Sequence, residues 1–132
     1  MIKKNLFLLT SVITVIVALG LSFMGVKCKQ YRHYLGAGIE AIGDKNYVLA
    51  AEDLKKASNI YNENEEVTSL KEAVLNYNKA KERYDNEDYK SAQEYLNKIP
   101  AVYNNYDIKN DVDDLKSNIK IKYGELCEAK NK

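Results

Sequence analysis

Few residues in this sequence have the types and the spacing that hydrolytic or metal chemistry requires. Such chemistry needs His, Cys, Asp or Glu side chains clustered at ligand or triad spacing. The single histidine, His33, follows Cys28 by five residues, and no neighbouring residue type is suited to orient it as a base. This pair therefore does not predict a catalytic or metal site.

Two further patterns fall short of known ligand sites. Residues 110–114 read Asn-Asp-Val-Asp-Asp, but the Gly and Glu that complete a calcium loop of this type are missing. Acidic residues at this point are favoured instead by the dipole of a helix that starts here. Gly36 and Gly38 lie inside a helical pattern and lack the preceding strand of a phosphate loop. We predict no enzyme activity, no metal and no cofactor.

The longest apolar stretch predicts a helix that determines where in the cell the rest of the chain lies. Residues 6–26 carry no charge and no proline, and lysines border them on both sides. A helix of this length covers roughly 31 Å, close to the ~30 Å hydrocarbon core of a bilayer. Charges at both borders and none between them favour a spanning helix. The predicted order is a leader at 1–5, a transmembrane anchor at 6–26, a juxtamembrane segment at 27–33 and a helical domain at 34–132.

A cleaved signal peptide is the alternative for the same stretch, and it would make the protein a secreted one. The sequence Ala18-Leu19-Gly20 offers a small-x-small cleavage site. However, the apolar run continues to Val26, beyond the roughly 7–15 residues of the apolar region in an ordinary signal peptide. Lipid attachment at Cys28 is disfavoured because Lys27 stands where a small residue is needed.

The flanking charges hardly distinguish the two orientations in a membrane. Lys3, Lys4 and the amino terminus balance Lys27, Lys29 and Arg32, so the positive-inside rule gives no clear answer. The signal-like start and the short leader favour a domain outside the cytoplasm. The excess of lysine over arginine, with many Asn, Ile and Tyr, is typical of an AT-rich bacterial genome. We expect a single-pass protein of a bacterial cell membrane with an extracytoplasmic domain.

The charge balance of the domain argues against nucleic acid as a partner. The whole chain has 20 basic and 19 acidic residues, and five of the basic ones precede Tyr34. Residues 34–132 therefore carry about −4, whereas nucleic-acid binding depends on cations that displace phosphate counterions. The two cysteines, Cys28 and Cys127, are too few and too distant to indicate a disulfide framework.

Apolar residues recur at three- and four-residue spacing throughout the domain, which predicts helices. No segment alternates with period two, so the predicted fold class is all-α. Short turns make sequential helices antiparallel neighbours. Asn46 is predicted to cap the second helix, and Pro100 to mark the end of the fourth. The five predicted helices cover residues 30–43, 46–61, 65–84, 89–99 and 108–128.

An internal repeat relates two of these helices at a separation of 42 residues. The two copies read Tyr47-x-x-Ala50-x-x-x-Leu54-x-x-Ala57 and Tyr89-x-x-Ala92-x-x-x-Leu96-x-x-Ile99. With Tyr34-x-x-Ala37-Gly38-x-x-Ala41 upstream, the pattern resembles a tetratricopeptide repeat. Small residues such as Gly38, Ala50 and Ala57 allow paired helices to approach closely.

The resemblance implies a function as well as a fold. In tetratricopeptide proteins, the first helices of the pairs line a concave groove that holds a peptide of a partner protein. Carried over to this sequence, it predicts a non-catalytic protein-interaction scaffold at the membrane surface. The candidate groove residues are Arg32, Leu35, Ile39, Tyr77, Lys81 and Tyr84.

A structural role is the second hypothesis, in which long helices form an oligomeric coiled coil of an envelope or cell-division protein. Val67, Leu70, Val74 and Tyr77 fit its a and d positions, but Lys81 interrupts the seam. A third hypothesis, an accessory subunit of an envelope or secretion machine, differs from the scaffold only in its partner. Ala18 and Ser22 could also support weak association between anchor helices.

Overall fold

The described part of the chain is helical and contains no strand, so the predicted all-α fold class is confirmed. The computed structural model describes the backbone of residues 2–130 and the side chains of residue 20 and residues 22–125. Five α-helices and one short 3-10 helix follow one another. They are α1 (Ile2–Gly43), α2 (Tyr47–Ile60), α3 (Glu65–Asp85), α4 (Tyr89–Leu96), the 3-10 helix (Ala101–Asn105) and α5 (Ile108–Lys130).

Three of the helices begin at a side chain that caps them. The side-chain oxygens of Asn46, Asn64 and Asp88 each accept a hydrogen bond from the backbone N–H three residues further on, at 3.2, 3.1 and 3.1 Å. These bonds satisfy N–H groups that have no partner inside the helix. The predicted cap at Asn46 is thereby confirmed.

The turn after α1 and the turn after α3 have the same backbone structure. In the first, Lys45 has a φ of 59°, and the N–H groups of Lys45 and Asn46 donate back to Ile42 and Ala41. In the second, Glu87 has a φ of 61°, and the same bonds recur 42 residues later. This is a Schellman ending whose final residue also caps the next helix. The sequence repeat is therefore also a repeat of backbone structure.

Gly38 marks the closest approach of α1 to α2. A Cβ at Gly38 would lie 2.8 Å from Cγ of Leu54, which leaves no room for any side chain. Ala50 and Ala57 of α2 are fully buried. Small residues thus bring this pair of helices together, as the sequence predicted. Each later helix packs on its predecessor, α2 on α1, α3 on α2 and α4 on α3.

The last helix, α5, closes the core. One face of α5 is buried against α3, α4 and the 3-10 helix; it consists of Ile108, Val112, Leu115 and Ile119. Just before α5, the Tyr106 hydroxyl donates to Glu66 at the start of α3, over 3.0 Å. A Cβ at Gly43 would lie 3.6 Å from the carboxylate of Asp107. The beginning of α5 therefore meets both α1 and α3.

Helix α4 is shorter than predicted. It ends at Leu96, three residues before Ile99, and residues 98 and 99 form turns through N–H bonds to Tyr95 and Leu96. Pro100 disfavours helical geometry at the residue before it, which explains why the helix stops early. The 3-10 helix that follows was not predicted. Helix α1, in contrast, runs unbroken through the predicted juxtamembrane segment 27–33.

The predicted anchor, residues 6–26, lies largely outside the residues whose side chains are described. Within the described residues, no helix combines the length and the apolar character that crossing a membrane requires.

Candidate binding cleft

A cleft of about 730 Å³ opens between the beginning of α2 and the second half of α3. This volume falls within the range of small-molecule and peptide pockets. Helix α5 contributes Asp111 to the cleft wall. The full lining is Lys45, Asn46, Tyr47, Val48, Leu75, Tyr77, Asn78, Lys79, Lys81, Glu82, Asp85 and Asp111.

Two tyrosines form the floor of the cleft. The rings of Tyr47 and Tyr77 meet edge to face, with centroids 4.8 Å apart and planes at 74°. Both are nearly buried, and this arrangement is the favourable one for two aromatic rings. The Asn78 side chain donates to the backbone carbonyl of Tyr47 at 2.9 Å and so ties α3 to the start of α2. Ring packing and a hydrogen bond between the two helices therefore hold the floor in place.

Two aliphatic side chains beside the floor are exposed to solvent. Val48 is 67% exposed and Leu75 is 38% exposed, and they belong to neighbouring helices. Burying such groups against a partner is favourable, by roughly 25 cal/mol for each Å² of apolar surface removed from water. Neither residue was a predicted site residue, because each lies off the buried stripe of its helix. In the sequence, Val48 and Leu75 could have been recognised as apolar residues on the otherwise polar face of a helix.

Asp111 connects the floor to α5. Its carboxylate accepts hydrogen bonds from the Tyr47 hydroxyl and from Lys45, the latter at 2.7 Å. Burial opposes the ionisation of Asp111, but the two hydrogen bonds outweigh it and hold the pKa of the carboxyl below its ordinary value. Burial and the bond to Asp111 together raise the pKa of Tyr47, and burial raises the pKa of Tyr77 to about 12. Both tyrosines are therefore neutral near pH 7.

The charges around the rim balance one another. Three cations, Lys45, Lys79 and Lys81, face three anions, Glu82, Asp85 and Asp111. Lys81 pairs with Asp85 at 3.0 Å, and Lys79 lies over the ring of Tyr95 at 5.5 Å. The net charge of the cleft does not favour a strongly acidic or basic ligand. Recognition here relies on shape and apolar contact.

The structure brings together only half of the predicted groove. Tyr77, Lys81 and Tyr84 share a smaller concavity of about 290 Å³ with residues of α5, including Leu115. Within it, Tyr77 is only 6% exposed, and the Tyr84 ring packs on Tyr89 at 5.5 Å. Helix α5 thus lies along the face of α3 that the resemblance assigned to a partner. Arg32, Leu35 and Ile39 line neither this concavity nor the cleft.

A third concavity, of about 310 Å³, lies between α1 and α2 and is lined partly by acidic side chains. Glu40, Asp44 and Asp53 are among its lining residues, and Asp53 is paired with Lys56 at 2.8 Å. Among the residues that the structure describes, no group of three or more His, Cys, Asp or Glu side chains is placed to hold a metal ion. The 730 Å³ cleft is therefore the best candidate for a ligand-binding site.

Comparison with protein-family models, with curated proteins and with solved structures found no match to this chain.

Proposed function

We propose that this chain is a membrane-anchored, tetratricopeptide-like scaffold that binds an apolar segment of a partner protein in the 730 Å³ cleft, without catalysis. The observation that carries the proposal is the pair of uncovered aliphatic side chains, Val48 and Leu75, beside a fixed floor of tyrosines. The 42-residue backbone repeat and the tight crossing at Gly38 support the likeness to helical repeats.

The cleft is suited to binding because little of it must be ordered when a partner arrives. The Tyr47 hydroxyl bond to Asp111 and the Asn78 bond to the Tyr47 carbonyl hold the floor in place. A preformed site avoids much of the entropy cost of ordering side chains on binding. Tyrosine is among the residue types that supply most of the binding energy in typical protein interfaces.

Crosslinking inside cells tests the proposal directly. A photo-crosslinking residue in place of Lys81, which lines the cleft, should capture a partner protein. The same residue in place of Lys120, an exposed position on α5, provides the control. Capture of the same proteins at both positions would contradict a specific cleft.

A matched set of substitutions tests the two aliphatic residues. The double variant Val48→Glu, Leu75→Glu should lose the crosslinked partner, because it places two charges where apolar contact is proposed. Ile121→Glu changes an aliphatic residue on α5 whose exposure, 58%, lies between those of Val48 and Leu75, and it should keep the partner. Circular dichroism should show unchanged helicity in both. Undiminished capture of the partner by the double variant would contradict the proposal that the partner binds in the cleft.

The location is part of the proposal: a bacterial cell membrane, crossed once by residues 6–26, with the domain outside the cytoplasm. The uncharged sequence of that stretch and its basic borders support the anchor. A reporter fused after Lys132 that works only outside the cytoplasm should be active. Recovery of a mature chain starting near Leu21 from the medium would replace the anchor with a cleaved signal.

The oligomeric coiled coil has less support. Its proposed seam on α3 includes Val67, Leu70 and Val74, and all three are buried in the core of the same chain. A second copy would have to displace α2 or α4 to reach them. Sedimentation of the chain in mild detergent should therefore give a monomer, whereas a stable dimer would favour the structural role.

A further inference from the structure

We infer that the turn between α2 and α3, residues 61–64, rests on the lipid surface, so that the domain stands upright and the cleft opens roughly 25–30 Å from the bilayer core. The inference rests on the proposed anchor at residues 6–26. It specifies how far the cleft lies above the membrane, and therefore which kind of partner protein can reach the cleft.

Helix α1 joins the proposed anchor to the domain. This helix runs without interruption from Ile2 to Gly43, so the proposed anchor and the domain share one axis. At about 1.5 Å per residue, Gly43 lies roughly 25 Å beyond Val26. Phe23, Met24 and Val26 are each more than half exposed, so the domain does not cover the last turn of the anchor. Those side chains are free to face lipid.

The turn at residues 61–64 packs against α1 just beyond the proposed anchor. The ring of Tyr61 meets the ring of Tyr31 edge to face, at a centroid distance of 5.1 Å and an angle of 83°. The Asn64 side chain donates to the Tyr31 hydroxyl at 2.8 Å. Tyr31 is only five residues past Val26, or roughly 8 Å along the helix. The turn therefore lies at the height of the headgroup layer, about 5–8 Å thick on each side.

The chemistry of the turn suits that layer. Tyr61 is 39% exposed, and tyrosine is enriched where membrane meets water because one end of its ring is apolar and the other polar. Lys27, Lys29 and Arg32 lie exposed at the same level of α1, and the acidic Glu63, Glu65 and Glu66 oppose them. Because these charges balance, the contact should depend on Tyr61 and not on anionic lipid.

Two further turns lie at the opposite end of the domain. The turns at residues 44–46 and 86–88 lie one helix length away from the turn at 61–64, since α2 connects the first of them to it and α3 connects it to the second. Lys45 of the first turn and Asp85 at the end of α3 line the cleft. The cleft therefore lies toward the end of the domain that is far from the membrane. Its partner is a soluble protein or an extended ectodomain, and not a segment next to the membrane.

Energy transfer from the full chain in vesicles tests this arrangement. Cys28→Ser and Cys127→Ser remove the native thiols, and a single fluorophore is attached at Asn62→Cys or at Asp44→Cys, both exposed turn positions. The acceptor is a headgroup-labelled lipid in phosphatidylcholine vesicles, with or without phosphatidylglycerol. Transfer should be several-fold stronger from position 62, because position 44 lies roughly 20 Å higher. Added phosphatidylglycerol should not change the result.

Each other outcome overturns the inference in a different way. Equal transfer from both positions means that the domain lies on its side, and weak transfer from both means that it stands clear of the lipid. Failure of the chain to float with the vesicles removes the anchor, and the inference with it. Crosslinking at Lys81 reports on the cleft separately, so a domain that stands upright but captures no partner would count against the proposed function alone.

Discussion

Gly38 lies where α1 crosses α2, and its lack of a side chain sets the distance between the two helices. A Cβ there would lie 2.8 Å from Leu54 Cγ and 3.3 Å from the Leu54 backbone nitrogen. Because Leu54 is fully buried, it cannot move aside without disturbing the core. We expect Gly38→Ala to lower the free energy of unfolding by about 1–3 kcal/mol. Urea unfolding of the full chain in mild detergent, followed by tyrosine near-UV circular dichroism, measures this.

Gly36 provides the matched control on the same helix. A Cβ at this position would meet nothing within 4 Å. Alanine is preferred over glycine inside a helix by about 1 kcal/mol, so Gly36→Ala should stabilise the protein slightly. If both substitutions changed the free energy of unfolding in the same direction, the tight crossing at Gly38 would not be the cause.

The Asp111 network predicts how stability changes in acid. The folded-state pKa of Asp111 is depressed, so its stabilising bonds to Tyr47 and Lys45 are complete above the unfolded pKa of about 3.9. They are lost as the pH falls through the folded-state pKa. Asp111→Asn should cost about 1–2 kcal/mol at pH 7 and progressively less as the pH falls below the unfolded pKa of about 3.9. Asp114→Asn, at an exposed position of the same helix, is the control.

Urea unfolding at a series of pH values separates the two variants. An equal loss of stability from Asp111→Asn at pH 7 and in acid would mean that the negative charge of Asp111 does not contribute to the stabilisation.

The sequence could not predict this network. Asp111 is 66 residues from Lys45 and 64 from Tyr47 along the chain, and only the packing of α5 brings them together. The cap at Asn46 was predictable because its partner is three residues away.

Among the structural elements, the sequence was most informative about the turns between helices. One of these turns nevertheless contains a residue with a strained backbone conformation. Glu87, in the turn after α3, has a φ of 61°, a conformation that costs a side-chain-bearing residue roughly 1 kcal/mol relative to glycine. Glu87→Gly should therefore raise the free energy of unfolding by about 0.5–1 kcal/mol. Thermal unfolding followed by far-UV circular dichroism gives the shift.

Glu63→Gly in the α2–α3 turn is the control for that prediction. Glu63 is not among the described non-glycine residues with positive φ, so glycine brings no relief and only adds freedom to the unfolded chain. A stabilisation at both positions would show that removal of an acidic charge is responsible. The end of α4 shows the limit of such local reasoning. Ile99 fits the apolar spacing, yet the proline after it ends the helix earlier.

At the scale of the whole molecule, the unpredicted feature is the place of α5. Its apolar stripe correctly predicted a helix with one buried face, but a stripe does not say which neighbour covers it. In the structure it lies along α3, beside Tyr77 and Tyr84, on the surface first assigned to a partner. The open surface lies instead at Val48 and Leu75, which no periodic pattern marks.

This arrangement makes α5 part of the folding unit, and one pair of residues tests that. Ile119 is fully buried, whereas Ile121, two residues later on the same helix, is 58% exposed. Ile119→Ala should lower the free energy of unfolding by about 2–4 kcal/mol through lost burial and a residual cavity. Ile121→Ala should change it by less than about 0.5 kcal/mol. Urea unfolding should remain a single transition in both, since the helices share one core. A separate early transition in Ile119→Ala, with the rest of the domain unaffected, would instead make α5 an appendage that a partner could displace from Tyr77 and Tyr84.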